Sequence, residues 1–145
     1  MKMGLSHKQK GAAAIEFALV FVIFFSVLYG VLSYSLPLLL IQSFNNATAE
    51  AARRSVAVDP TLAAATYKLK VEEVAKAVLD EKLTWVPSSI SGSLVKTAAY
   101  NAGELIVTVS LPATALSNIM PVITLGTITV PKLPTDLRAQ SSLKF

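Results

Sequence analysis

The chain has 145 residues, 53% hydrophobic and only 15% charged, with a mean hydropathy of +0.57; soluble domains carry about 25% charged residues. Neither a simple soluble globule nor a disordered chain has this composition, because disorder needs low hydrophobicity and high charge. The formal net charge of +4 is uneven: Lys2, Lys8 and Lys10 precede the apolar run, and from Ala12 onward 10 cations face 9 acids. No basic stripe is left for nucleic acid. There is no cysteine, and the one histidine, His7, lies in the charged leader. A disulfide framework, a thiol nucleophile, a Cys-ligated zinc or a His-based triad is therefore excluded, and the chain is expected not to be an enzyme and to need no cofactor or metal.

The chain opens with a basic leader, Met1 to Gly11, free of acids. An apolar run, Ala12 to Ile41, follows, and the 33 positions from Phe17 to Ala49 contain no Asp, Glu, Lys or Arg. About 20 apolar residues cross a bilayer core, so the first part, to about Leu32, predicts a spanning helix. The positive-inside rule leaves the leader in the cytoplasm and the rest across the membrane. The run is too long for the apolar region of a cleaved signal peptide, and no small-x-small site followed by polar sequence ends it.

Glu16 is out of place in such a helix. At the bilayer centre a carboxylate costs at least about 2–3 kcal/mol, less near an interface. Either it is solvated at the headgroups, or it meets a cation inside a protein assembly, where a low dielectric strengthens the pairing. Ser26 and Gly30 form a weak small-xxx-small pair that permits close helix approach.

Past the bilayer, the helix is expected to continue as an amphipathic stalk to Val58, roughly 70 Å from Ala12 if straight. Pro37 removes a backbone donor and predicts a kink. Asn45, Asn46, Glu50, Arg53 and Arg54 decorate the emerging part. The Arg53-Arg54 pair reads as a solvated helix end favoured by the macrodipole.

Asp59-Pro60 predicts an N-cap and first helical residue, opening a second helix from about Pro60 to Leu83. Tyr67, Val71, Val74 and Val78 recur on one face. Lys68, Glu72, Lys76 and Asp80 lie opposite, with Glu72-Lys76 in the favourable i,i+4 order. The pairs Glu72-Glu73 and Asp80-Glu81 diverge by about 100° on a helix and cannot converge on one substrate. A Pro- and Ser-containing loop, Thr84 to Gly92, follows; Trp85 in it is expected to plug the core rather than anchor at headgroups.

The remainder predicts β-structure. Leu94–Tyr100 and Glu104–Leu111 flank Asn101-Ala102-Gly103, a hairpin signal with Gly for a positive φ. In the second strand Leu105, Val107, Val109 and Leu111 alternate with Glu104, Ile106, Thr108 and Ser110, a half-buried pattern. After a loop, Pro112 to Pro121, Ile123–Val130 supplies a third strand, and Pro131 and Pro134 end it or confine it to an edge. The tail Thr135–Phe145 adds a further short strand. The expected fold class is α+β: a long transmembrane and stalk helix, then a small head with one helix on a three- to four-stranded antiparallel sheet. The divisions are leader 1–11, helix and stalk 12–58, and head 59–145.

Lys10-Gly11-Ala12-Ala13-Ala14-Ile15-Glu16-Phe17 resembles the processing site of type IV pilin-like proteins: a basic leader ending in Gly, then an apolar stretch with Glu at its fifth position. The longer stretch GAAAIEFALVFVIFFSVLYGVL, followed by Gln42-Ser43-Phe44-Asn45-Asn46-Ala47-Thr48-Ala49-Glu50-Ala51-Ala52-Arg53-Arg54, is similar to the TadE-like family, pseudopilins of the tight-adherence (Tad, Flp pilus) system. Glu16 and Phe17 match the family's E-F/Y pair, and Asn45 to Arg53 its second block; Pro37 is a departure. A β-rich C-terminal end with a late Arg, here Arg138, is a looser likeness. The resemblance implies a prepilin peptidase cut between Gly11 and Ala12. It further implies pairing of the new Ala12 ammonium with Glu16 of a neighbouring subunit. Its implied partners are other pilins, through the N-terminal helix, and the Tad assembly platform of the inner membrane. On this basis the function expected is a minor pilin or pseudopilin for Tad-type pilus biogenesis. The alternative is an uncleaved single-pass scaffold or sensor with a ligand-binding extracytoplasmic head.

Overall fold

The computed structural model describes residues 7–145; Met1–Ser6, with Lys2, lie outside the described residues. Helix α1 covers His7–Ser55, 49 residues without interruption. Helix α2 is Ala64–Lys82 and a single turn, α3, is Ser88–Ser91. Strands β1 (Val95–Asn101) and β2 (Glu104–Pro112) form a hairpin, and a 3-10 helix occupies Ala113–Asn118. Strands β3 (Ile123–Leu125) and β4 (Ile128–Val130) form a second, separate hairpin, and β5 is Asp136–Lys144. The main sheet is antiparallel in the order β1-β2-β5.

Helix α1 changes character along its length. From Gly11 to Leu28 every residue is exposed, and Ile15, Phe17 and Leu19 are each more than 60% exposed. A helix apolar all round needs an apolar surrounding. A buried stripe then begins: Ser33, Pro37, Leu40, Phe44, Ala47, Thr48, Ala51, Ala52 and Ser55. These steps of three and four residues mark one helical face, and that face lies in the core with Val71, Ala75, Val78 and Leu79 of α2. Pro37 does not end the helix; its ring lies on the buried side. The stalk residues therefore belong to the head's packing. Two helices cover the sheet, where the sequence pattern from Pro60 onward predicted one.

The alternation in β2 holds: Leu105, Val107, Val109 and Leu111 are all fully buried. They meet Ala98 of β1 and Leu137 and Ala139 of β5 on the same face. Helix α2 runs along the free side of β1. The Tyr100 backbone N–H donates to the Glu72 carboxylate at 2.9 Å, the Lys68 ammonium donates to Asn101 Oδ1 at 3.0 Å, and Lys96 pairs with Asp80. The helix thus covers part of the β1 edge and satisfies one of its backbone donors, an edge otherwise open to pairing with another chain.

Three sequence expectations change. The second helix starts at Ala64, not Pro60, because Asp59 bonds locally: its carboxylate accepts the Thr61 N–H at 2.9 Å and the Thr61 hydroxyl at 2.7 Å. That Asx turn competes with helix initiation and reverses the chain after α1. Ile123–Val130 is no third strand of the main sheet, since Gly126, at φ +63, folds it into the β3–β4 hairpin. The third strand is instead the tail, β5, nine residues long and paired along the whole of β2. Trp85 is not in the core; it is 44% exposed, and its indole N–H donates to Ser43 Oγ of α1 at 3.1 Å.

The β1–β2 turn holds a residue at odds with its backbone. Ala102 has φ +50 beside Gly103 at φ +82. A left-handed L-residue costs about 1–2 kcal/mol. Ala102→Gly should therefore stabilise the head by about 1 kcal/mol, less the entropy that glycine adds to the unfolded chain. Phe44→Ala should cost about 3–5 kcal/mol, whereas Phe24→Ala, on the exposed half of α1, should leave head stability unchanged. Urea unfolding in detergent, followed by Trp85 fluorescence, measures all three.

Candidate functional site: the exposed helix and its junction with the head

Gly11, Ala12, Glu16 and Phe17 lie on the exposed start of α1. Ala12 and Glu16 are four residues apart, hence one turn apart on one face. Within a single chain Glu16 makes no ion pair or hydrogen bond among the described residues. A Cβ at Gly11 would meet nothing within 4 Å. Glycine in a helix interior is less stable than alanine by roughly 0.5–1 kcal/mol, so the fold gains nothing from having glycine there. The Phe17 ring begins an aromatic ladder, with Phe17–Phe21 centroids 5.8 Å apart and Phe21–Phe25 centroids 4.4 Å apart. Ser26 is satisfied within α1, donating to the Val22 carbonyl at 2.7 Å, and Gly30 has open space around its Cα.

Farther along, a chain of ion pairs runs along α1 and reaches α2. Glu50 accepts from Arg53 at 2.6 Å and from Arg54 at 2.7 Å, and Arg54 reaches Glu81 of α2 at 3.1 Å. Arg54, expected to be simply solvated, is a bridge between helices. Its hydrogen bond to Glu50, followed by that of Arg53, holds the Glu50 carboxyl below the usual carboxylate range. Beneath this cluster, the buried Ser55 hydroxyl bonds the Ala51 carbonyl at 2.8 Å and lies 3.3 Å from that of Val71. Glu72 pairs with Lys68 at 4.0 Å, and Glu73 with Lys70 at 2.8 Å, in place of the anticipated Glu72-Lys76 bridge. The carboxylates of α2 are thus committed to separate structural partners. Arg138 is also local, donating to Gln140 at 3.0 Å on an exposed face.

Two tyrosines were not singled out by the sequence pattern. The Tyr29 hydroxyl donates to the Pro121 carbonyl, and the Tyr34 hydroxyl accepts the Lys132 backbone N–H at 2.9 Å. They fasten both ends of the β3–β4 hairpin segment to α1. The available signal was a pair of phenols inside an uncharged run, since a Tyr hydroxyl in apolar surroundings usually finds a partner.

The depressed Glu50 value sets a pH dependence. A carboxylate ionised more readily in the folded state contributes stability that is complete above its unfolded pKa. That contribution disappears as pH falls through the folded one. The head's thermal midpoint should therefore drop on acidification below the usual carboxylate range. Glu50→Gln should flatten part of that drop in a pH series of thermal melts.

Residues 11–53 match the family model described as TadE-like protein. No curated protein and no solved structure matches the chain. The matched stretch is the part of α1 that runs from the exposed Gly11 to the Glu50–Arg53 pair. Residues 11–53 are thus similar to TadE-like proteins, and they lie in α1, one helix apolar and long enough to cross a membrane.

Proposed function

We propose that this protein is a minor pseudopilin that supports Tad-type (Flp) pilus biogenesis. In this reading α1 spans the inner membrane with the leader cytoplasmic and the head outside. The prepilin peptidase removes Met1–Gly11, and the mature subunit assembles with other pilins through α1. The head is a contact surface for those pilins or for the assembly platform, not a catalyst.

The observation that carries the reading is the lone, exposed Glu16, one helical turn after Ala12, with no other charged side chain in α1 from Gly11 up to Glu50. Desolvating such a carboxylate is costly unless a cation comes with it. Trimming at Gly11 frees an ammonium on the same face. Between neighbouring subunits, the amine of one can neutralise the carboxylate of the other and set the register of packing. Gly11 supports the same reading, because open space surrounds it in the folded chain and its use lies in letting the backbone into a tight protease site.

Substituting Gly11 with a bulkier residue should block maturation without disturbing the fold. Intact mass of the protein from its native host would show whether Met1–Gly11 is lost. Retention of the leader in the wild-type protein would leave only the uncleaved membrane module. Glu16→Ala should be trimmed normally but enter the pilus assembly poorly; normal piliation in that variant refutes the register role.

A further inference from the structure

The sequence from Leu105 to Pro131 contains no charged residue, and its last part is the β3–β4 hairpin. Ile123 and Val130 are cross-strand partners, as are Thr124 and Thr129. Strand alternation places Ile123, Ile128 and Val130 on one face and the two threonines on the other. The aliphatic face is not packed away: Ile123 is 43% and Ile128 65% exposed. Between it and α1 runs an open groove of about 610 Å³, walled by Phe21, Val22, Phe25 and Tyr29 on one side and by Ile123, Ile128 and Val130 on the other. The polar groups at its wall are already used, with Ser26 bonded to Val22 and Tyr29 to Pro121. A polar ligand would find no free donor there.

Position selects the occupant. From Tyr29 to Phe21 the groove follows α1 for about 12 Å, along the stretch where α1 is apolar and exposed on every side. Tyr29 and Tyr34 have the amphipathic character of residues that settle at a membrane–water boundary. Lys132, the first charge after the hairpin, is fixed by its backbone at the level of Tyr34. An uncharged hairpin below that level and a cation at it match the polarity profile of one leaflet.

We propose that the β3–β4 hairpin is a second membrane-contact element, sunk into the leaflet on the head side of the bilayer, and that the groove between it and α1 holds a lipid acyl chain. The proposal rests on the reading of α1 as a spanning helix. The short strands pair with each other, but their outer edges retain backbone polar groups that hydrocarbon cannot satisfy. Those edges hold the hairpin near the boundary of headgroups and acyl chains. The contact fixes the head's height and tilt on the membrane, which a single helix leaves free.

The chain has no cysteine, so single-cysteine variants report single positions. Leu19→Cys (α1), Ile128→Cys (hairpin) and Ser142→Cys (exposed in β5) in the full chain, labelled with bimane, are placed in phosphatidylethanolamine–phosphatidylglycerol vesicles. Each is quenched with nitroxide-acyl phospholipid or with aqueous iodide. The expected result is several-fold stronger lipid than iodide quenching at Leu19 and Ile128, and the reverse at Ser142. Iodide quenching at Ile128 with lipid quenching at Leu19 overturns the hairpin proposal and leaves the spanning helix standing. Iodide quenching at Leu19 overturns both. Protection of Ile128 from both quenchers, with Leu19 lipid-quenched, assigns the groove to a second copy of the chain and overturns the lipid.

Discussion

The burial of one face of α1 beyond Ser33 is the constraint on which the rest of the molecule depends. Phe44 and Leu40 are fully buried in the same cluster as α2 and the main sheet. They are among the largest fully buried side chains of the described residues, and a head of this size has little apolar area to spare. One helix therefore has to meet two environments. Its first half is apolar in every direction and its second half in only one, and the change comes within about two turns around Tyr29 to Pro37.

This continuity couples the anchor to the head mechanically. A stalk joined by a flexible linker could be pulled without consequence for the domain it carries. Here the helix that enters the membrane is the helix that fills the core, and the Glu50–Arg54–Glu81 bridge and the buried Ser55 secure its far end against α2. The ion pairs contribute little energy at an exposed surface; their value is in direction, since they join two helices whose apolar faces alone would permit sliding.

Helix α2 has a second task besides covering the sheet. Glu72, Lys68 and Asp80 all reach β1, so the polar face that looks idle in a helical projection is tied to the sheet's edge strand. A strand edge partly covered in this way is less open to pairing with another chain. The exposed apolar surface is concentrated elsewhere, on the first half of α1 and on the β3–β4 hairpin beside it.

The amino-acid sequence by itself determined the long apolar helix, the oddity of Glu16 after Gly11, the core face of α2, the alternation in β2 and the absence of a sulfur- or histidine-based site. All of these rest on composition, on periods of two and 3.6, or on a contiguous motif, and such signals are local. Only the tertiary structure decided that the stalk is core, that the sheet's third strand is the tail rather than Ile123–Val130, that Trp85 docks on Ser43, and that two tyrosines fasten a hairpin to α1. The strand pairing, the Trp85 contact and the tyrosine contacts join residues at least 24 positions apart in the chain. Apolar residues with a helical period say that a face will be buried, and never against what. That choice belongs to the packing of the whole chain.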